Sequence, residues 1–100
     1  VAHIEFAPAI AGDIDRIVDH LLKYEIKDAA ARVQDIIRAL DILDRNPLIG
    51  RPAETGKREL VIGRDAHGYV ALYAYVAEID TVFVLALRAQ TEAGYVRQQQ

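Results

Sequence analysis

Residues 68–88 read GYVALYAYVAEIDTVFVLALR, the most apolar stretch of the chain and the one that decides its fold. Tyr69, Tyr73 and Tyr75 lie before a polar break at Glu78–Asp80, and Val82, Phe83, Val84 and Leu85 lie after it. Aromatic and β-branched runs around a break of that length predict two strands joined as a hairpin. Along the first strand the odd positions carry Tyr69, Ala71, Tyr73 and Tyr75, and the even positions carry Val70, Leu72, Ala74 and Val76. Both faces are therefore apolar, and each needs cover.

Working upstream, Gly63–Gly68 reads as the turn into this hairpin, and Arg58–Ile62 as a preceding strand with Leu60 and Ile62 on one face. Residues 47–56 hold two prolines and two glycines, a turn-rich loop in which Leu48 and Ile49 are expected to be apolar anchors. Before that loop, Ala29, Val33, Ile36, Ile37, Leu40 and Leu43 form the buried stripe of a helix that starts behind Asp28, a capping residue type, and stops at Asn46–Pro47. An earlier helix, from Pro8 to about Tyr24, buries Ile10, Ile14, Ile17, Val18, Leu21 and Leu22. The acidic residues Asp13, Asp15, Asp19, Asp35, Asp41 and Asp44 are read as solvated helix surface rather than as general acids or bases. His3–Phe6 alternates as a short first strand, placed at a sheet edge. The expected fold is thus α+β, in the order β-α-α-β-β-β, with a helical hairpin packed on a small antiparallel sheet. One domain over residues 1–95 and a frayed tail over 96–100 complete the expectation.

The chain has 100 residues, 52% of them hydrophobic and 27% charged, within the range of globular proteins. No apolar run approaches the roughly 18 residues of a membrane span, and no signal-peptide pattern opens the chain, so a cytoplasmic location is the expectation. The sequence lacks an initiator methionine, and a residue or more is expected to precede Val1. Cysteine and serine are both absent, which excludes a disulfide framework and nucleophilic catalysis of the Ser-His-Asp or Cys-His kind. His3, His20 and His67 are too far apart in sequence for a metal site, and no phosphate-binding glycine motif occurs, so no metal or cofactor is expected. The net charge of −3 argues against direct DNA binding. Positive charge gathers in residues 45–64, where Arg45, Arg51, Lys57, Arg58 and Arg64 face only Glu54 and Glu59.

Two sets of residues remain as site candidates. Tyr69, Tyr73 and Tyr75 share one strand face, as a stacking platform does, although packing beneath the helices explains them more simply. Arg58, Arg64, Arg88 and Tyr95 combine guanidinium groups with a phenol, and the strand ends carrying Arg58 and Arg88 are placed on one edge of the sheet. Such a set can clamp and cleave a phosphodiester or pair with an acidic partner.

Several segments taken in order resemble the RelE/ParE superfamily of bacterial toxin-antitoxin toxins. They are Phe6-Ala7-Pro8-Ala9, Asn46-Pro47-Leu48-Ile49-Gly50-Arg51-Pro52, Arg58-Glu59-Leu60-Val61-Ile62, Gly68-Tyr69-Val70-Ala71-Leu72-Tyr73 and Val84-Leu85-Ala86-Leu87-Arg88. The resemblance covers nearly the whole chain and implies a toxin neutralised by an antitoxin encoded beside it, in a hetero-oligomer. RelE-like members cut messenger RNA on the ribosome with basic residues and a C-terminal tyrosine, whereas ParE-like members inhibit DNA gyrase by binding. The RNase pattern places an arginine where this chain has Val70, and a valine cannot stabilise a developing phosphate charge. The lysines expected near the second strand, Arg58–Ile62, are reduced to Lys57. The resemblance therefore implies the ParE-like branch, with a ParD-like antitoxin and DNA gyrase as partners. Partner-contacting residues are expected among Arg58, Arg64, Tyr69, Tyr73, Tyr75 and Arg88. The alternatives are an endoribonuclease using Arg58, Arg88 and Tyr95, and a non-toxic relative that binds only its antitoxin. The second apolar face of the hairpin is the expected antitoxin seat.

Overall fold

The computed structural model describes residues 1–24, 27–63 and 67–96. Strand β1 (His3–Phe6) leads into helices α1 (Ala9–Lys23) and α2 (Ala29–Leu40). Strands β2 (Arg51–Pro52), β3 (Arg58–Ile62), β4 (Tyr69–Val76) and β5 (Thr81–Ala89) follow. The sheet order is β1-β5-β4-β3-β2, antiparallel throughout except where β1 runs parallel to β5 at one edge. The expected α+β architecture is present, with one short strand added: Arg51–Pro52 pairs with Arg58 and Glu59 and extends the meander.

The helical hairpin covers one face of the sheet. Ile10, Ile17 and Leu21 of α1 and Ala29, Ile36 and Leu40 of α2 join Leu43, Ala71, Tyr73, Val82, Val84 and Leu87 in a single core. The alternation of β4 puts Ala71 and Tyr73 into this core and Val70, Leu72, Ala74 and Val76 on the opposite, outer face. Leu72, Ala74, Val76, Phe83 and Leu85 are half-buried and lie outside the core. Leu85 has no partner across the ladder, because Leu72 pairs with Ala86 and Tyr73 with Val84. This bulge restores Leu87 to the core side and turns Arg88 outward.

Several local expectations are corrected. Asp13 is not solvated: it is 3% exposed, and its carboxylate bonds Arg16 and the Leu87 N–H. Leu22, expected in the buried stripe, is exposed. The second helix stops at Leu40, and Asp41–Asp44 forms a 3₁₀ turn that still buries Leu43. Asp28 precedes α2 with left-handed torsions and makes no side-chain cap; its carbonyl accepts the Arg32 N–H instead. Leu48 and Ile49 are exposed and anchor nothing in the core. That loop is held by Gly50, whose N–H donates to the Tyr73 hydroxyl at 2.8 Å and whose carbonyl accepts from Arg58 at 2.8 Å. A Cβ on Gly50 would lie 2.7 Å from the Glu59 carbonyl and from the Tyr73 ring, so only glycine fits without displacement.

Candidate functional site

Chemistry-bearing side chains gather on the outer face, at the end of the sheet where β5 gives way to the C-terminal segment. Register explains the grouping. Arg51 stands opposite Glu59, Glu59 opposite Leu72, and the neighbouring row runs Val61, Val70, Arg88. Residues two apart on adjacent strands share a face, so Arg51, Glu59 and Arg88 are presented together. After Ala89 the chain folds back and brings Tyr95 over this row, its ring 5.1 Å from the Arg88 guanidinium carbon.

Glu59 is the hub. Its Oε1 accepts from Arg51 Nε at 3.0 Å and its Oε2 from the Tyr95 hydroxyl at 2.5 Å. Arg88 Nη2 lies 4.0 Å from the same carboxylate, too far for a hydrogen bond. Arg88 Nη1 instead donates long bonds to the carbonyls of Ala89 and Glu92. The Tyr95 hydrogen bond, followed by the charges of Arg51 and Arg88 and opposed by partial burial, holds the Glu59 carboxyl below the usual carboxylate range. Burial and the Glu59 hydrogen bond push the Tyr95 phenol well above the usual tyrosine range. The phenol is thereby committed as a hydrogen-bond donor to Glu59.

The segment that delivers Tyr95 is itself anchored. Glu92 accepts the Ala89 N–H at 3.0 Å and pairs with Arg16 of α1 at 3.2 Å. Arg16 also bonds Asp13 at 2.8 Å and the Leu87 carbonyl at 3.0 Å.

The residues singled out from sequence fall into separate places. Arg88 and Tyr95 come together. Arg58 does not join them: it pairs with Tyr73, at the far end of the ladder from Arg88, and lies on the helix-covered face with Leu60 and Ile62. The expectation that Arg58 and Arg88 share an edge is thereby corrected. Tyr73 is fully buried and offers no surface, while Tyr69 and Tyr75 pack at the rim of the core. The Tyr75 hydroxyl donates to Asp80 at 2.6 Å. Arg64 lies outside the described residues. Arg51, Glu59 and Glu92 were not singled out from sequence, although strand alternation from Leu60 and Ile62 already places Glu59 on the outer face. Among the described residues no group of acidic or histidine side chains is arranged to hold a metal ion. Among the same residues no helix is long and apolar enough to cross a membrane.

The profile of the family described as ParE toxin of type II toxin-antitoxin system, parDE, matches residues 4–94. Among solved structures, the chain is similar to one from the chromosomal ParDE toxin-antitoxin system of P. aeruginosa. That similarity has a TM-score of 0.73 and 25% identity, covering 88% of this chain and 95% of the other. No curated protein matches the sequence. The matched span runs from the second residue of β1 through β5 into the segment that carries Tyr95, and the chain belongs to the ParE toxin family of type II toxin-antitoxin systems.

Proposed function

We propose that this ParE-family toxin acts by binding DNA gyrase, without hydrolytic chemistry, and that a ParD-like antitoxin neutralises it in a toxin-antitoxin hetero-oligomer. One observation carries the proposal: Glu59 stands among Arg51, Arg88 and Tyr95, the cationic and phenolic groups on which an RNase of the superfamily would depend. Its carboxylate would repel a scissile phosphate, it holds Tyr95 protonated, and Arg58 stands on the other face. Val70, paired with Arg88, supplies no charge in its place. The half-buried apolar outer face, Leu72, Ala74, Phe83 and Leu85, favours a protein partner over nucleic acid. With a net charge of −3, the chain is not expected to bind DNA by itself.

The test is purified chain against gyrase in a supercoiling assay, with and without the product of the adjoining reading frame. Loss of supercoiling, restored by that product, is the expected result. The second reading, a ribosome-dependent endoribonuclease, draws on the contact between Arg88 and Tyr95. Under it, expression would cleave messenger RNA at ribosomal A-site codons, supercoiling would be untouched, and alanine at Arg88 and Tyr95 would abolish toxicity.

A further inference from the structure

We infer that Arg88, with Arg51 and Gln90, forms a carboxylate-binding site for an acidic side chain of a protein partner on the outer face of the sheet. The inference deepens the antitoxin reading, on which it rests only for the identity of that partner.

Among the described residues, Arg88 has no hydrogen-bonded anion. Its side chain is 17% exposed, so most of its hydration is lost, yet the nearest described carboxylate, that of Glu59, is 4.0 Å away, and its donated bonds go to the backbone carbonyls of Ala89 and Glu92. Glu59 does not close that gap: its carboxylate is oriented toward Arg51 and Tyr95, which it bonds with one oxygen each. Beside Arg88 lies a small cavity of about 150 Å³, lined by Arg51, Val61, Val70, Arg88 and Gln90. Two arginines and an amide therefore surround a valine floor, an arrangement suited to an oxyanion attached to an aliphatic stem.

Charge selects the class of ligand. Arg51 and Arg88 against Glu59 leave one net positive charge, which matches a single carboxylate. A polyanion would meet the Glu59 carboxylate and an acidic chain. The exposed Val61 and half-buried Leu72 continue the floor and accept the aliphatic neighbours of the acidic residue. The occupant is thus a segment carrying an Asp or Glu between aliphatic side chains, docked across β3 and β4.

The full chain, titrated by NMR with the capped peptide acetyl-Leu-Glu-Leu-amide, tests this without an antitoxin. Binding should move the side-chain resonances of Arg88 and Gln90. The Gln counterpart of the peptide should bind about tenfold more weakly, the scale of a lost charge-assisted hydrogen bond. Glu59→Gln, which removes the internal competing charge, should tighten binding, and Arg88→Gln should abolish it. Arg88→Lys keeps the charge without the planar fork and should weaken binding severalfold, which separates recognition from loss of fold. Equal binding of both peptides, binding undiminished in both Arg88 variants, or preference for inorganic phosphate or a short RNA would overturn the inference. Such a failure would leave the gyrase and antitoxin assays unaffected.

Discussion

Asp13 Oδ2 accepts the backbone N–H of Leu87 at 2.9 Å, joining residues 74 positions apart. Strand β1 accompanies β5 only as far as the pair Phe6 and Val84, so beyond it that edge of β5 has no neighbouring strand among the described residues. Asp13 takes the Leu87 N–H and Arg16 donates to the Leu87 carbonyl at 3.0 Å, one helix thereby replacing the missing backbone partner. Removing the carboxylate leaves the buried Leu87 N–H without an acceptor and takes from Arg16 one of its two carboxylate partners, Glu92 being the other. Asp13→Ala should cost about 2–4 kcal/mol in urea denaturation. Asp13→Asn, which keeps one acceptor, should cost less, and equal losses for the two would contradict this account.

Gly50 and Tyr73 form a second tie, between the loop and the core. Tyr73→Phe leaves the buried Gly50 N–H without an acceptor and should cost about 1–3 kcal/mol. Gly50→Ala forces a Cβ against the Glu59 carbonyl and the Tyr73 ring, and about 1–3 kcal/mol is expected from such overpacking. Because both changes act on one contact, the double variant should lose less than the sum of the singles, a coupling that a double-mutant cycle in denaturant would measure.

The hydrophobic periodicities of α1, α2 and the β4–β5 hairpin made the architecture readable from sequence, because each buried stripe has one period and one face. What stayed hidden depended on partners distant in the chain. Asp13 carries the polar signature of a solvated helix face, and only the end of β1 beside β5 makes its burial favourable. Arg58 and Arg88 were similarly legible as candidates but not as neighbours, since the register of β3 on β4 and the bulge at Leu85 decide their faces. Glu59 was the missed element of the site, and alternation along β3 contained the signal.

Leu48 and Ile49 show the reverse error, apolar residues taken for anchors. They are 58% and 53% exposed, whereas Leu43, in the 3₁₀ turn after α2, is fully buried. Leu48→Gln and Ile49→Thr should each change stability by less than about 0.5 kcal/mol. Leu43→Ala should cost about 2–5 kcal/mol through the cavity it leaves. Thermal denaturation of the three variants separates the expectations, and a loss of Leu43 size at either loop position would mean that the loop packs against the core.

The bond between Tyr95 and Glu59 should make stability depend on pH at the acid end. The folded pKa of Glu59 lies below its unfolded value, chiefly because of the Tyr95 hydrogen bond. A depressed pKa contributes stability that is fully present above the unfolded value of about 4.3 and is lost as pH falls through the folded value. Glu59→Gln cannot titrate, so its deficit relative to the native chain should be largest near neutrality and shrink below about pH 4. Tyr95→Phe should flatten the same limb by removing the principal cause of the shift. Melting temperatures of the three proteins from neutral pH down to about 3 provide the comparison. A deficit for Glu59→Gln that stays constant across that range would show that the carboxylate gains nothing from its folded partners.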